Sequence, residues 1–173
     1  MKLGDRAGGF RFGTVATGGT FDHIHAGHKR LLERSFEAGG RVIIGLTSDE
    51  FVSRVGKKPD FDYATRERKL REYIEKTFPG REYRIAKLYD YFGPGIADGD
   101  VQALVASPET ASRLGLANRL RREKGFPPLE LVTVEWVQAA DGKPISSTRI
   151  RKGEVDEEGR MLGRDGPPDP PGK

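Results

Sequence analysis

No cysteine occurs among the 173 residues of the chain, which excludes disulfide bonds and metal sites built on thiolate ligands. The chain also lacks any run of about 18 apolar residues, the length that a membrane-spanning helix requires. No apolar stretch follows Lys2, so no secretory signal is predicted. From these absences we expect a cytoplasmic protein with no membrane partner.

The excess of positive charge is modest. Lysine and arginine total 30 and aspartate and glutamate total 26, which gives a formal net charge of +4. A nucleic-acid-binding domain usually concentrates more basic charge on one face, so we expect no nucleic-acid partner. Basic residues placed around a pocket would instead suit small polyanions. The length of 173 residues is enough for one domain, and the 35% of hydrophobic residues can form a substantial core.

Apolar runs alternate with stretches of helical periodicity along the chain. The strand-like runs are residues 11–17, 41–47, 82–88, 101–106 and 129–134, and the helical stretches are 26–38, 49–55, 63–77 and 108–124. Such alternation is typical of a parallel sheet with right-handed crossover connections. We therefore predict an α/β fold, with a five-stranded parallel sheet flanked by helices.

Two segments lack a regular pattern. Residues 89–99 contain proline and glycine breaks, and we expect an irregular loop there that closes one side of a pocket. Apolar content falls after residue 153, and prolines become frequent near the end. We predict one domain over residues 1–155 and a disordered tail over residues 156–173.

All three histidines lie within six residues, at the junction of the first predicted strand and helix. Gly18 and Gly19 would allow a sharp turn and a close ligand approach, and a helix N-terminus favours an anion. His25 and His28 are three residues apart, so they would point to one side of the helix. Two imidazoles there could donate to a phosphoryl group that gains charge. A metal pair, a capping histidine and a solvated cluster are the alternatives.

A second polar cluster precedes the last predicted helix. Ser146, Ser147 and Thr148 place three hydroxyls at the helix start, where backbone N–H groups also bind phosphate oxygens. Arg149 and Arg151 add charge and bidentate donors. The alternative is that one serine simply caps the helix, which would leave the rest of the run unexplained.

The two clusters together resemble the motifs of the nucleotidylyltransferase superfamily, which has a Rossmann-like fold. Residues 19–22 (Gly-Thr-Phe-Asp) and 25–28 (His-Ala-Gly-His) are similar to its first motif, and residues 145–151 to its C-terminal one. Over nearly the whole predicted domain, the chain looks most like the archaeal phosphopantetheine adenylyltransferases. It also resembles the adenylyltransferase part of eukaryotic coenzyme A synthase. The resemblance implies a single Rossmann-like domain.

The activity implied by this resemblance is adenylyl transfer from ATP to 4′-phosphopantetheine, which gives dephospho-coenzyme A and pyrophosphate. Mg²⁺ would arrive with ATP, and no metal site made by the protein alone is expected. Another acceptor, such as nicotinamide mononucleotide, flavin mononucleotide or glycerol-3-phosphate, stays open. A non-catalytic nucleotide-binding regulator is the alternative from a different class. The oligomeric state is left open.

The resemblance also implies roles for individual residues. His28, helped by His25, would donate to the α-phosphate, and Thr20 and Lys58 would orient the attacking phosphate. Bacterial enzymes of this activity lack a histidine at the place of His25, so His28 is the stronger candidate. The predicted nucleotide-binding residues are Gly18, Gly19, Thr20, Phe21, His25, His28, Ser107, Glu109, Ser146, Ser147, Thr148 and Arg149.

Near the acceptor phosphate, the predicted substrate-binding residues are Thr20, Asp22, Lys57 and Lys58. The sequence does not separate the two adjacent lysines, and Lys58 is preferred slightly. Most charges on a charge-rich helix are solvated, and the same is expected for the arginines at positions 66 and 68.

Overall fold

The computed structural model of the protein describes residues 9–163. Five parallel strands form one sheet in the order β3-β2-β1-β4-β5, which confirms the predicted α/β fold. The strands are β1 (Phe12–Gly19), β2 (Gly39–Thr47), β3 (Glu82–Leu88), β4 (Ala103–Ala106) and β5 (Glu130–Thr133). The helices are α1 (Ala26–Ala38), α2 (Asp49–Arg54), α3 (Tyr63–Thr77), α4 (Gly93–Ala97), α5 (Pro108–Ala111), α6 (Leu114–Glu123) and α7 (Ser147–Arg151). Among the described residues, every helix is too short or too polar to cross a bilayer.

The central strands β1 and β2 are buried on both faces. Val15, Val42 and Ile44 belong to the larger core, which includes the apolar side chains of α1 and α3. Ala16 and Ile43 alternate with them and belong to a second core on the opposite face. Because both faces are covered, the apolar runs of these strands are continuous rather than alternating.

The order of the strands reverses between β1 and β4. The chain passes from β1 outward to β2 and β3, and then returns to place β4 on the other side of β1. In open parallel sheets, ligands bind in the crevice outside the carboxyl ends of the strands at such a reversal. The turns that follow Gly19 and Ala106 both open at this crevice.

Two elements differ from the sequence-based prediction. Residues 89–99, predicted to be irregular, contain the short helix α4. The single helix predicted over residues 108–124 is divided into α5 and α6. At the division, Ser112 Oγ donates to the Glu109 carbonyl at 2.7 Å, and such local bonds compete with a continuous helix.

Arg121, rather than Leu116, forms much of the inward face of α6. The apolar side chain of Leu116 is 45% exposed, whereas Arg121 is fully buried. The Arg121 guanidinium donates to the carbonyls of Gly95, Asp98 and Val101 at 2.8–2.9 Å. These carbonyls satisfy a buried cation without a carboxylate, and the bonds tie α4 and the following loop to α6.

Residues 156–163, which were expected in the disordered tail, are described and contact α1. The Glu157 carbonyl accepts from the backbone N–H of Ala26 at 2.9 Å, and Glu158 pairs with Lys29. Val155, just before this segment, is fully buried. Residues 164–173 of the predicted tail lie outside the described residues.

Candidate active site

The turn between β1 and α1 forms the floor of the site. Phe21 has a φ of +48°, which is uncommon for a large side chain, and its ring is fully buried. The Phe21 and His28 rings lie with their centroids 4.7 Å apart. A Cβ at Gly27 would lie 2.9 Å from Cε1 of His25, so only glycine leaves room for that imidazole. The turn thus holds the two histidines against one another.

His25 is the N-cap of α1. Its Nδ1 accepts from the backbone N–H of Gly27 at 3.1 Å and of His28 at 3.4 Å. A ring nitrogen that accepts carries no proton, so the neutral His25 ring is protonated on Nε2. The capping histidine weighed from the sequence is therefore present, and capping leaves Nε2–H available as a donor.

The His28 ring has the opposite tautomer. Its Nδ1 lies 2.9 Å from the carbonyl oxygen of His23, and a carbonyl only accepts, so Nδ1 carries the proton. The backbone nitrogen of His25 lies further from the same Nδ1, at 3.4 Å. The shorter contact is the stronger hydrogen bond and fixes the tautomer. Neutral His28 therefore has an unprotonated Nε2, and it can donate from Nε2 only as the imidazolium.

Both imidazoles are neutral at pH 7 in the free protein. Burial, followed by the charges of His23 and Lys29, lowers the pKa of His25 to about 4. Burial, followed by the neighbouring His25, lowers the pKa of His28 to about 3. The two rings stack with centroids 3.8 Å apart, and two cations at that distance would repel.

The second polar cluster forms the start of α7 as predicted. Ser146 is the N-cap, and its Oγ accepts from the backbone N–H of Arg149 at 3.2 Å. Ser147 and Thr148 occupy the first turn. Capping thus uses one hydroxyl of the run, and the neighbouring hydroxyls remain beside the cavity described next.

A cavity of about 410 Å³, here called the histidine cavity, lies between the β1–α1 turn and α7. Its polar wall contains His25, His28, Ser146, Ser147, Thr148 and Arg151. Its apolar wall contains Val134, Trp136, Val137 and Ile145. The two motifs that are far apart in the sequence therefore line one cavity.

Most of the predicted nucleotide-binding residues line this cavity, namely Gly18, Gly19, Thr20, His25, His28, Ser107, Glu109, Ser146, Ser147 and Thr148. Phe21 and Arg149 do not. Phe21 is buried beneath His28, and the guanidinium of Arg149 is held by Asp141 and Glu154. Arg151 lines the cavity in the place expected for Arg149.

A second cavity of about 240 Å³, here called the apolar cavity, adjoins the first. Its apolar wall includes Ile43, Phe51, Val52, Leu88, Phe92 and Leu104. At one side the Arg113 guanidinium lies 3.9 Å from the centroid of the Tyr91 ring. As expected from the sequence, the segment after β3 closes one side, although it does so partly as the helix α4. Five residues line both cavities: Gly18, Gly19, Thr20, Lys57 and Glu109.

The two candidate lysines are placed differently. Lys57 lines both cavities at their junction, whereas Lys58 lines neither. The backbone N–H of Lys57 donates to the Val52 carbonyl at 2.9 Å, which ties the start of this loop to α2. The structure therefore favours Lys57 over Lys58, contrary to the slight preference from the sequence.

Arg66 is a residue near the site whose role the sequence interpretation missed. It was expected to be solvated, which is wrong, because its side chain is fully buried. Its Nη1 donates to the carbonyls of Thr20 and Thr47, each at 2.9 Å, and its Nη2 pairs with Asp49 at 2.8 Å. The spacing of four residues from Arg66 to Leu70 placed it on the buried face of α3 and could have revealed it. The arginine at position 68 is solvated as predicted.

Asp22 lies away from both cavities. Its buried carboxylate accepts from the backbone N–H groups of Asp60 and Phe61, each at 3.0 Å, and from Nη1 of Arg151 at 2.8 Å. Burial by itself raises the pKa of Asp22, but these bonds outweigh it and hold the pKa below the usual value. Asp22 therefore anchors the turn and α7.

Asp22, His23 and Asp60 are also close enough to be considered as metal ligands, with one ligand atom of each within 4.8 Å of the others. The Asp22 carboxylate is already bonded to two backbone N–H groups and an arginine, and His23 lies 2.7 Å from Asp60. These bonds account for the cluster as an ion-paired anchor, and we assign no metal to it.

Comparison with known proteins identifies similar chains. The family model described as cytidylyltransferase-like matches residues 16–153. The phosphopantetheine adenylyltransferase of Methanosarcina acetivorans is 48% identical over 151 residues, which is 85% of this chain and 94% of the relative. The protein of the same name from Methanopyrus kandleri is 44% identical over 147 residues, which is 85% of this chain and 93% of the relative.

A solved structure also resembles the fold. A crystal structure from Archaeoglobus fulgidus, described as a protein with unknown function, is 35% identical and has a TM-score of 0.62. The match covers 71% of this chain and 98% of that one. The similarity thus extends over the domain that carries both cavities.

Proposed function

The chain belongs to the cytidylyltransferase-like family, and we propose that it transfers the adenylyl group of ATP to 4′-phosphopantetheine. The products would be dephospho-coenzyme A and pyrophosphate. Relatives named phosphopantetheine adenylyltransferase, 44–48% identical, support this acceptor. The observation that carries the proposal is the junction of the histidine cavity and the apolar cavity at Thr20 and Lys57. One cavity suits a nucleotide, the other suits a flexible arm, and their junction suits the two reacting phosphates.

The histidine cavity is the proposed nucleotide site. Hydroxyls and N–H groups of Ser147 and Thr148, at the start of α7, would hold the β- and γ-phosphates, with Arg151 beside them. The apolar wall around Trp136 and Val137 would receive the adenine ring. Bound in this direction, ATP places its α-phosphate between α7 and the two histidines.

The apolar cavity is the proposed site of the pantetheine arm. The arm carries methylene groups, two amides and a thiol, and it would replace water along the wall formed by Phe51, Leu88 and Leu104. The phosphate end of the arm would then reach Thr20 and Lys57. This places one acceptor oxygen beside the α-phosphorus of ATP, and such alignment supplies a large part of the rate of a two-substrate reaction.

The reaction itself is an in-line displacement. An oxygen of the acceptor phosphate forms a bond to the α-phosphorus, the bond from that phosphorus to the bridging oxygen breaks, and pyrophosphate leaves with the electron pair. Donors at the α-phosphate stabilise the charge that gathers on its oxygens. His25 offers Nε2–H in its neutral form. His28 offers a second donor once the negative charge of the bound phosphates favours its protonation.

Mg²⁺ is proposed to arrive with ATP, where it would offset the charge of the phosphates. Among the described residues that line the histidine cavity, the carboxylates are Glu109 and Glu135, which are too few for a cage made by the protein alone. Phosphate oxygens and water would therefore supply most of the ligands, with side-chain hydroxyls such as that of Thr148 nearby. We also propose that the enzyme works in the cytoplasm, as expected from the sequence.

A panel of substrates tests the proposal. Purified protein is given ATP or CTP with phosphopantetheine, nicotinamide mononucleotide, flavin mononucleotide or glycerol-3-phosphate, and pyrophosphate release and product mass are measured. We expect strong turnover with ATP and phosphopantetheine together. Turnover with another pair alone would contradict the proposed acceptor or donor, and ATP binding without turnover on any acceptor would indicate a non-catalytic regulator.

A further inference from the structure

Thr20 and Thr47 form a hydroxyl pair at the junction of the two cavities. Their Oγ1 atoms lie 3.1 Å apart. Thr20 lines both cavities, whereas Thr47 ends β2 and lines the apolar cavity alone. Each hydroxyl has one proton to donate, so only one of the two can donate to the other. The direction of this bond decides what Thr20 offers to a ligand.

An anion at Thr20 would fix that direction. An ionised phosphate oxygen accepts and does not donate, so Thr20 directs its proton to such an oxygen. The bond between the two threonines is then made by the proton of Thr47. In this arrangement Thr20 accepts one bond while it donates another, and such chains of hydroxyls strengthen the terminal donor.

The buried Arg66 holds this pair in place from below. It donates to the carbonyl oxygens of both Thr20 and Thr47, which fixes the ends of β1 and β2 at one separation. Its Nη1 also lies 3.5 Å from Thr47 Oγ1. Since an arginine only donates, Arg66 favours an orientation in which Thr47 accepts from below and donates to Thr20.

We infer that Thr47 is a positioning residue for the transfer reaction, which orients the Thr20 hydroxyl so that it donates to the phosphate of the acceptor. This inference rests on the proposed function for the identity of the acceptor. Thr47 acts through Thr20 and not by its own contact with the phosphate. Its effect should therefore require the Thr20 hydroxyl.

A double-mutant cycle tests this dependence. Thr20→Val, Thr47→Val and the double variant are compared with the wild type by kcat/KM for phosphopantetheine. We expect Thr47→Val to lower kcat/KM about tenfold, the loss of one supporting hydrogen bond. Thr20→Val should lower it more, and the double variant should be no worse than Thr20→Val. Losses that multiply in the double variant would overturn the inference, because Thr47 would then act independently of Thr20.

Two further variants separate positioning from packing. Thr47→Ser keeps the hydroxyl and should retain activity within about twofold of the wild type. Thr133→Val changes an exposed threonine of β5 outside both cavities and should leave activity unchanged. Thermal melting checks that every variant is folded. Equal losses in Thr47→Ser and Thr47→Val, or no loss in Thr47→Val, would contradict the inference.

Failure of the proposed function would be visible separately. Turnover by the wild type tests the acceptor, whereas the comparison among variants tests Thr47. The affinity of the same four proteins for inorganic phosphate is also measured, by phosphorus NMR titration. This affinity does not depend on the identity of the acceptor. The inference would be supported, even with another acceptor, by two results together. Thr47→Val should weaken phosphate binding in the wild type, and the same change should have no further effect on phosphate binding in Thr20→Val. Unchanged phosphate affinity in Thr47→Val would count against it.

Discussion

Arg151 donates from Nη1 to Oδ2 of Asp22 at 2.8 Å, although 129 positions of sequence separate the two residues. This bond joins the last residue of α7 to the turn between β1 and α1. The same carboxylate accepts from the backbone of Asp60 and Phe61, in the loop that follows Lys57. One buried side chain thus fixes three walls of the histidine cavity relative to one another.

Asp22→Asn should loosen these three segments together. The amide keeps the shape but loses the charge and one acceptor, so we expect the free energy of unfolding to fall by about 1–3 kcal/mol. ATP should also bind more weakly, because α7 is less firmly held. Urea unfolding and equilibrium titration with ATP measure the two effects. Asp100→Asn, an exposed change outside both cavities, is the matched control. If Asp22→Asn gives wild-type values in both measurements, the anchoring role of Asp22 is refuted.

His28→Ala should reduce kcat about 10²- to 10³-fold, the usual cost of losing one donor to a charge that develops in the transition state. The assay follows pyrophosphate release at saturating ATP. His23→Gln is the control, because the His23 ring contacts Asp60 and lines neither cavity. Its activity should stay within a few-fold of the wild type. If pyrophosphate release by His28→Ala is unchanged, the histidine chemistry is wrong.

The adjacent lysines provide their own matched pair. Lys57→Ala should lower kcat/KM for phosphopantetheine about 10- to 100-fold, because a charged hydrogen bond to phosphate contributes about 1.5–3 kcal/mol. Lys58→Ala should stay within about twofold of the wild type. Initial rates at varied acceptor concentration measure both variants. The reverse ranking would restore the preference that the sequence suggested.

The two histidines should make the protein less stable as the pH is lowered. Their pKa values in the folded protein are about 4 and about 3, below the value of 6.5 expected after unfolding. Below about pH 6.5 the unfolded chain therefore binds more protons than the folded protein, and the free energy of unfolding decreases. Above that pH, the contribution of the two neutral histidines to stability is fully present. Each histidine contributes a slope of up to about 1.4 kcal/mol per pH unit.

Urea unfolding of the ligand-free protein between about pH 7.5 and about pH 5 measures this slope, since most carboxylates remain ionised there. His28→Asn should show a smaller slope than the wild type, because one of the two groups is removed. A wild-type slope near zero below pH 6.5, or an equal slope in the variant, would contradict the pKa shifts.

Trp136 should report nucleotide binding directly. It is the single tryptophan of the chain, is 52% exposed and lines the histidine cavity. A base that stacks on the indole should change the tryptophan emission as ATP is added. Trp136→Phe should keep most of the affinity, and Trp136→Ala should lose about tenfold, since such stacking contributes about 1–3 kcal/mol. Saturation with ATP without any change in emission would place the adenine elsewhere.

Much of this architecture could be predicted because it depends on local pattern. Continuous apolar runs indicated strands buried on both faces, and helical periodicity placed α1 and α3. The hydroxyl run beginning at Ser146 was assigned to a helix start, and the structure places Ser146 at the N-cap of α7. Both motifs are short, contiguous groups of residues, so the donors and hydroxyls that they offer are visible in the sequence itself.

The errors concern residues whose environment comes from distant segments. Arg66 and Arg121 were taken for surface charges or passed over, yet carbonyl groups from other elements surround both guanidinium groups. Arg149 and Arg151 are the same type of residue and lie only two positions apart in α7. Only the location of Asp22 on one side and Asp141 on the other decides which arginine lines the cavity.

Backbone propensity and apolar periodicity act over a few neighbouring residues. They are therefore enough to specify the parallel sheet, the turn that carries the histidines and the helix start that carries the hydroxyls. Which lysine and which arginine face the cavities, the position of Arg66 beneath Thr20 and Thr47, and the neutral state of the two histidines all follow from contacts between distant segments. Charge and protonation depend on burial and on partners brought together by folding, and neither quantity is written in local sequence.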